Sequence, residues 1–412
     1  MEASGFQIST QRSDIKLDAT MGIGDLTSDP DLPLGINLTG ILSANDAAMA
    51  FPAYAPMIKS LPQPRDFNVR MDANGTTSRL KVDNVKIQLP RVFNLSANGE
   101  VKNITDFDKM GGRIEFDGAV TNPKAVNATL ASLKMDSTIT IPSLKLNGSA
   151  NYNPGNVSGN LKLVTGTGKL LADGRWVARK ESYQADIGLK TFPIDAFMPS
   201  LGIKEISAAI HVTGTGYNPL SPATTLLADV SIDDVVYNGS TYTDASLTAE
   251  ARDGDLKAFL ISNNPDARIE LNAHAQIDSG IIKGELNGEI QNLDLLALGV
   301  MSSPCRGRTD IAVKGQYDPR TEDIQADVNI SDFDWLMDTV NYYIPSLTLH
   351  ATADKQVTAV DILSEDHLLR IIINNTCNHI MHHIYTFTTV LSTSISQQPT
   401  VHTPRQHTLS QP

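Results

Sequence analysis

The strongest constraint on this chain is a hydrophobic period of two. From Ile269 onward, apolar side chains fall on Ile269, Leu271, Ala273, Ala275 and Ile277, with Glu270, Asn272, His274 and Gln276 between them. After the turn residues Asp278-Ser279-Gly280 the pattern resumes as Ile282, Gly284, Leu286, Gly288 and Ile290, set against Lys283, Glu285, Asn287, Glu289 and Gln291. Successive strand residues point to opposite faces, so these segments form a hairpin with one apolar and one polar face. The same alternation returns at Ile206, Ala208, Ile210 and Val212, at Leu226, Ala228, Val230 and Ile232, at Ile324, Ala326, Val328 and Ile330, and at Ile114, Phe116, Gly118 and Val120.

Helical signals are short, and each lies between strands: Asp46–Met57, Thr105–Met110, Asp195–Leu201, Asp294–Val300 and Asp332–Val340. Each has an Asp or Thr near its start, where a side-chain oxygen can cap the first turn. They are too short for the crossovers of a parallel sheet, so the strands are expected to be antiparallel. Tyr-[Asn/Asp]-Pro occurs three times, at Tyr152-Asn153-Pro154, Tyr217-Asn218-Pro219 and Tyr317-Asp318-Pro319, with a Tyr-less version at Asn122-Pro123. The residue before a proline is pushed out of the helical region, so each motif is expected to turn the chain between two strands. The recurring unit is strand, short helix, strand, Gly, turn, strand, as in 185–214 and 286–315, and without the Gly in 326–351.

A one-sided apolar sheet must hide that face by packing or by curling on itself. Alternation alone favours a close-packed sandwich. The other solution is a sheet curled into a channel for acyl chains.

Composition bounds function. The 412 residues carry 33 basic and 46 acidic side chains, a net charge of −13, which argues against a nucleic-acid partner and against a polybasic membrane binder. Two cysteines, Cys305 and Cys377, cannot form a disulfide framework. No stretch approaches eighteen consecutive apolar residues, so no membrane-spanning helix is expected, and MEASGFQIST lacks the basic and apolar regions of a signal peptide; if the protein works outside the cytoplasm, its targeting element is expected to lie outside this sequence. Neither GxSxG, P-loop, HExxH, paired CxxC nor a dinucleotide fingerprint occurs, so no enzyme and no cofactor is expected. His211 and His274 lie on the polar sides of their strands and read as solvated residues. Asp233-Asp234 and Asp106-Phe107-Asp108 read as turn and cap residues, since neither belongs to a full loop of oxygen donors.

All 46 acidic residues fall within 1–366, and the remainder holds six of the nine histidines and eight threonines. The chain is therefore expected to divide into 1–365, a repetitive β region, and 366–412, an atypical tail. The tail reads either as a solvated polar segment or as sequence out of frame with the body, with no core to join. Cys377, His379, His382 and His383 have the residue types of a metal site without a scaffold to hold them tetrahedrally.

The segments ADIGLKTFPIDAFMPSLGIKEISAAIHVTGTGYNP (185–219), LNGEIQNLDLLALGVMSSPCRGRTDIAVKGQYDP (286–319) and ADVNISDFDWLMDTVNYYIPSLTLHATAD (326–354) share the pattern of a strand, an Asp-initiated short helix and a second strand, which ends in Gly in the first two. This pattern, covering most of 30–360, resembles the AsmA-like superfamily and looks like its TamB branch from Bacteroidetes-type envelopes. The resemblance implies an all-β fold with a few short helices: an elongated, curled antiparallel groove of diverged repeats in the periplasm. It further implies a bridge between inner and outer membranes, with an inner-membrane anchor in the full-length protein. The implied partners are phospholipid acyl chains and an outer-membrane β-barrel assembly protein. The residues expected to line the groove are Ile206, Ile210, Val212, Ile269, Leu271, Ile277, Ile282, Leu286, Ile290, Ile324, Val328 and Ile330. The alternative is an adhesin-like β-sandwich repeat protein that binds glycans or proteins at the cell surface. An adhesin predicts exposed aromatic platforms; a conduit predicts one continuous aliphatic stripe across the repeats.

Overall fold

A computed structural model of the chain describes residues 2–22, 31–55, 58, 66–132, 138–218, 221–355, 357–364 and 367–373. Among these residues twenty-two strands follow one another. The first seven are β1 (Glu2–Ser9), β2 (Asp14–Met21), β3 (Pro33–Ser43), β4 (Asp66–Thr76), β5 (Arg79–Leu89), β6 (Phe93–Lys102) and β7 (Gly111–Val120). Then come β8 (Leu144–Asn153), β9 (Asn156–Thr165), β10 (Gly168–Val177), β11 (Ser182–Phe192), β12 (Ile203–Thr215), β13 (Thr225–Tyr237) and β14 (Ser240–Arg252). The last eight are β15 (Asp255–Asn264), β16 (Ala267–Asp278), β17 (Ile281–Asp294), β18 (Cys305–Asp318), β19 (Asp323–Met337), β20 (Val340–Ala353), β21 (Thr358–Ser364) and β22 (His367–Ile373).

Each strand pairs antiparallel with its sequence neighbours, giving a single open, curled meander in which β1 and β22 do not meet. Substantial strand contacts run only between consecutive strands. At ~4.8 Å per strand the twenty-one steps span about 100 Å. Strand length grows along the sheet, from 8 residues in β1 to 13 in β12 and 15 in β19.

Tight turns make this meander possible. Asn238-Gly239, Asp253-Gly254 and Ser279-Gly280 each place two successive residues at positive φ, between 48° and 87°, as a type I′ hairpin turn requires. The α-helices of the described residues lie on one rim. Helix α1 (Ala44–Ala50) follows β3, α2 (Pro123–Ser132) follows β7, and α3 (Ile194–Phe197) follows β11, at intervals of four strands. Ser43 caps α1 by accepting from the Asp46 amide, and Pro52 stops it two residues past Ala50. A tight core forms here, where Ala44, Ala47 and Ala48 of α1 pack with Leu89, Val92 and Ala125. The Tyr-Asn-Pro and Tyr-Asp-Pro motifs occupy the opposite rim, after β8, β12 and β18. Pro219 lies outside the described residues.

A second recurring feature bends the sheet. Apolar spacing widens from two to three at Val82–Val85, Leu189–Phe192, Ile232–Val235, Ile290–Leu293 and Ile330–Phe333, all in odd-numbered strands. Pairing is irregular at each, so the extra residue is taken up as a bulge. The bulges of β11, β13, β17 and β19 fall toward the helical rim. There they curl the sheet while keeping the apolar residues on one face.

Several sequence expectations change. Asp332–Val340 is no helix: it continues β19 into the turn before β20. Asp332 has φ +50° and belongs to the bulge, while Phe333 and Trp335 keep the strand period. Asp233-Asp234 is likewise the bulge of β13 rather than a turn or cap. Thr105–Met110 forms turns, and the segment after Asp294 closes a single turn through Leu298 N–H to Asp294 C=O at 3.0 Å. Asn122-Pro123 does not join two strands. Asn122 Oδ1 accepts from the Ala125 amide at 3.2 Å and Pro123 occupies the first helical position of α2. Residues 367–373 do join the sheet, as β22 paired along β21; the rest of the tail, with Cys377, His379, His382 and His383, lies outside the described residues.

Small-angle scattering on the chain ending at residue 373 checks the shape. A rod about 100 Å long gives a radius of gyration of about 30 Å, whereas a compact chain of this size gives about 22 Å. A monomer near 22 Å would contradict the open meander.

Candidate functional site

Residues paired across antiparallel strands point to the same face, so the register defines rows that run along the sheet. One row crosses β1 to β20 without a break. It begins Phe6, Leu17, Leu38, Met71, Val85 and Ala97. It continues through Phe116, Gly148, Leu161, Ala172, Ile187 and Ile210. Val230, Leu247, Leu260 and Leu271 extend it to β16, and Gly288, Ile311, Ile330 and Leu347 to β20. Every position is apolar or Gly.

A parallel row, two residues nearer the tyrosine rim, runs from Ala19 in β2 to Ile362 in β21 and is equally free of polar side chains. From β8 to β16 it is built of small residues, among them Ala150, Gly159, Gly174, Ala185, Ala228 and Ala249, and beyond them of Leu286, Val313, Val328 and Leu349. A third row runs from Met21 to Val360 by way of Tyr152, Trp176, Tyr183, Leu226 and Ala275. No Asp, Glu, Lys, Arg or His stands in any of the three.

The expected lining residues fall on this face. Ile210, Leu271 and Ile330 belong to the first row, and Val212, Leu286 and Val328 to the second. Ile269 and Ile290 pair with each other nearer the helical rim, as Ile206 does with Phe192. Ile277, Ile282 and Ile324 pair through Tyr317 at the tyrosine rim. All are half-buried except Ile277, which is buried, whereas Glu270, Asn272, Glu285 and Asn329 on the other face are exposed. Among the described residues no second layer covers the apolar face, so its half-burial comes from curling: it is the inside of the groove. An open trough of about 530 Å³ lies along it, lined by Leu226, Ala251, Leu256, Ile282, Tyr317 and Ile324.

Large side chains in the lining lie over cross-strand glycines. A Cβ on Gly307 would meet the Trp335 ring at 2.5 Å, one on Gly214 the Tyr183 ring at 2.7 Å, and one on Gly288 the Leu271 side chain at 2.5 Å. The glycines therefore level the floor by giving neighbouring rings room to lie flat. Trp335 is buried, and among the described residues its Nε1–H finds no acceptor. The Cys305 thiol is buried close by, and burial, then Asp294 and Asp338, push its pKa up, which keeps it protonated. At the tyrosine rim, Trp176 Nε1–H donates to the Tyr217 hydroxyl, and Tyr217 stacks on Tyr183 with centroids 6.3 Å apart.

The outer face carries the charges as a cross-strand ladder. Glu250, Lys257, His274, Glu285, Lys314, Asp327, His350 and Asp361 are paired in succession from β14 to β21. His274 contacts Asp255 at 2.5 Å and His350 contacts Asp327 at 2.6 Å. Lys257, then His274, holds the Asp255 carboxyl below the usual carboxylate range. Among the described residues no three His, Cys, Asp or Glu side chains converge as a metal site.

Comparison with protein-family models, with curated proteins and with solved structures finds no match.

The tyrosine rim offers a test of its turns. Asp318 accepts from Arg320 Nε at 2.9 Å, Nη2 at 2.8 Å and the Arg320 amide at 3.0 Å, and these bonds hold its carboxyl at about 2 against an ordinary 3.8. Its stabilising effect is therefore fully present above pH 3.8 and is lost as the pH falls through 2. Asp318→Asn should melt earlier than wild type at pH 7, and the gap should close toward pH 2. A gap independent of pH would contradict the assignment.

Proposed function

We propose that this chain is a non-enzymatic scaffold that carries phospholipid acyl chains in its apolar groove, between the inner and outer membranes of a cell envelope, and that it assists the assembly of outer-membrane β-barrel proteins. The observation that carries the reading is the uninterrupted, uncharged inner face. A groove of that length without a charged residue has little to offer a water-soluble ligand, but stabilises each buried methylene by about 0.8 kcal/mol. An acyl chain makes no directional bonds, so it can shift along rows that repeat every ~4.8 Å without crossing a charge. The envelope location and the barrel-assembly partner rest on the resemblance of the repeats to AsmA-like proteins. Among the described residues no helix is long and apolar enough to cross a membrane. One feature favours the surface-binding alternative, namely the Trp176–Tyr183–Tyr217 group, which presents rings at the rim.

Replacing a lining residue tests the groove. Leu271→Asp and Ile290→Asp should lower co-purifying phospholipid by roughly twofold or more, because a carboxylate among apolar neighbours is costly to desolvate. Asn272→Asp, on the opposite face, should leave the phospholipid content unchanged. Circular dichroism of each variant must show the β signal of wild type. A folded Leu271→Asp protein with undiminished lipid, or a wild-type protein free of lipid, would overturn the conduit reading and leave the glycan- or protein-binding module in its place.

A further inference from the structure

The polar face holds a depression of about 560 Å³ at the tyrosine rim, between β10 and β14. Arg175 of β10, Lys180 of the turn into β11 and Arg252 at the end of β14 line it, with the hydroxyls of Ser182, Thr213 and Thr225. Glu250 is the one carboxylate in the lining, so the local balance is 3 − 1 = +2 in a chain whose net charge is −13. Ten other cations of the described residues are held by carboxylates, among them Arg70, Arg79, Arg113, Lys257, Arg308 and Arg320. Among the described residues Arg175, Lys180 and Arg252 enter no such ion pair. Glu250 itself faces Lys257 across the strand, as a step in the charge ladder.

Three unpaired cations that converge on one concavity, with hydroxyl donors between them, match the chemistry of an oxyanion. Guanidinium groups bind phosphate oxygens in bidentate fashion, an ammonium adds a point charge, and hydroxyls supply the remaining donors. From this convergence we infer that the depression is an anion site for a phosphate group, either free or carried as a lipid headgroup. The site lies on the face opposite the groove lining and at its edge. It stands independently of whether acyl chains occupy the groove. If they do, a headgroup leaving the groove over the 178–181 turn would meet Lys180 first.

Titration calorimetry of the full chain with inorganic phosphate, together with flotation on phosphatidylglycerol and phosphatidylcholine vesicles, tests the site. Arg175→Gln/Lys180→Gln/Arg252→Gln removes the three charges from exposed positions. Lys16→Gln/Lys86→Gln/Lys145→Gln removes three exposed charges elsewhere on the polar face and is the control. Saturable phosphate binding that falls at least about tenfold in the first variant and stays within about twofold in the control supports a free-phosphate site. Capture by phosphatidylglycerol but not phosphatidylcholine vesicles, lost in the first variant alone, supports a headgroup site. Lys180→Glu, a single change in an exposed turn, should reproduce either loss in part, and decides the matter if the triple variant does not fold. Absence of both kinds of binding in wild type, or equal loss in variant and control, overturns the proposal. Because phosphate binding is read without lipid, its outcome is separate from that of the groove variants.

Discussion

Because side chains alternate faces along a strand, a slip of one residue at any strand pairing would move a whole apolar set onto the polar face. Register is therefore the constraint on which the rest of this molecule depends, and it is held at three levels. Type I′ turns such as Asn238-Gly239 and Asp253-Gly254 fix the offset of each hairpin. On the outer face, the ladder from Glu250 to Asp361 sets Lys257 opposite Glu250 and Lys314 between Glu285 and Asp327, each such pair contributing about 0.2–1 kcal/mol and opposing any slip. On the inner face, Trp335 over Gly307 and Tyr183 over Gly214 admit only one pairing, since a side chain in place of the glycine would collide with the ring.

Much of this was legible in the amino-acid order, because a period of two leaves little freedom. The hairpin of Ile269–Ile277 with Ile282–Ile290, its Ser279-Gly280 turn and the face on which each candidate lining residue lies follow from alternation alone. What the local pattern could not convey was phase. At Val82–Val85 and Ile330–Phe333 the apolar spacing widens to three, which mimics the start of a helical repeat, and the Asp beside it mimics a cap. The strand wins because Phe333 and Trp335 pair with Ile344 and Tyr342, contacts that no short-range reading contains. Asn122-Pro123 failed in the opposite sense, since Asn before Pro serves equally as a turn and as a helix start. The apolar cluster of α1, Leu89 and Ala125 decides for the helix. The unpaired cations Arg175, Lys180 and Arg252 are 77 residues apart at the extremes, and only the pairing of five strands brings them together.

The two rims divide the work of an open sheet. Helices and bulges on one side bury the strand ends and bend the sheet, while turns on the other leave aromatic rings and cations at the edge. Between them most of the lining is half-buried, with Phe6, Ile114 and Trp176 exposed and Ala73 and Ala251 buried. A sheet whose strands touch only sequence neighbours behaves as a one-dimensional array, in which local stability is set by adjacent pairs and opening can begin at either end. Strands that lengthen from 8 to 15 residues make the groove taller toward β19.

On the proposed reading, acyl chains occupy the inner face along its length. Photo-crosslinking with a phospholipid bearing a diazirine in its acyl chain, followed by peptide mapping, tests it most directly. Labels should fall on inner-face residues in many strands, from the neighbourhood of Leu38 through Ile210 and Leu271 to Leu347, and should avoid the polar face. Labels confined to the polar face or to one end of the sheet, or no labelling of the folded protein, would contradict the account.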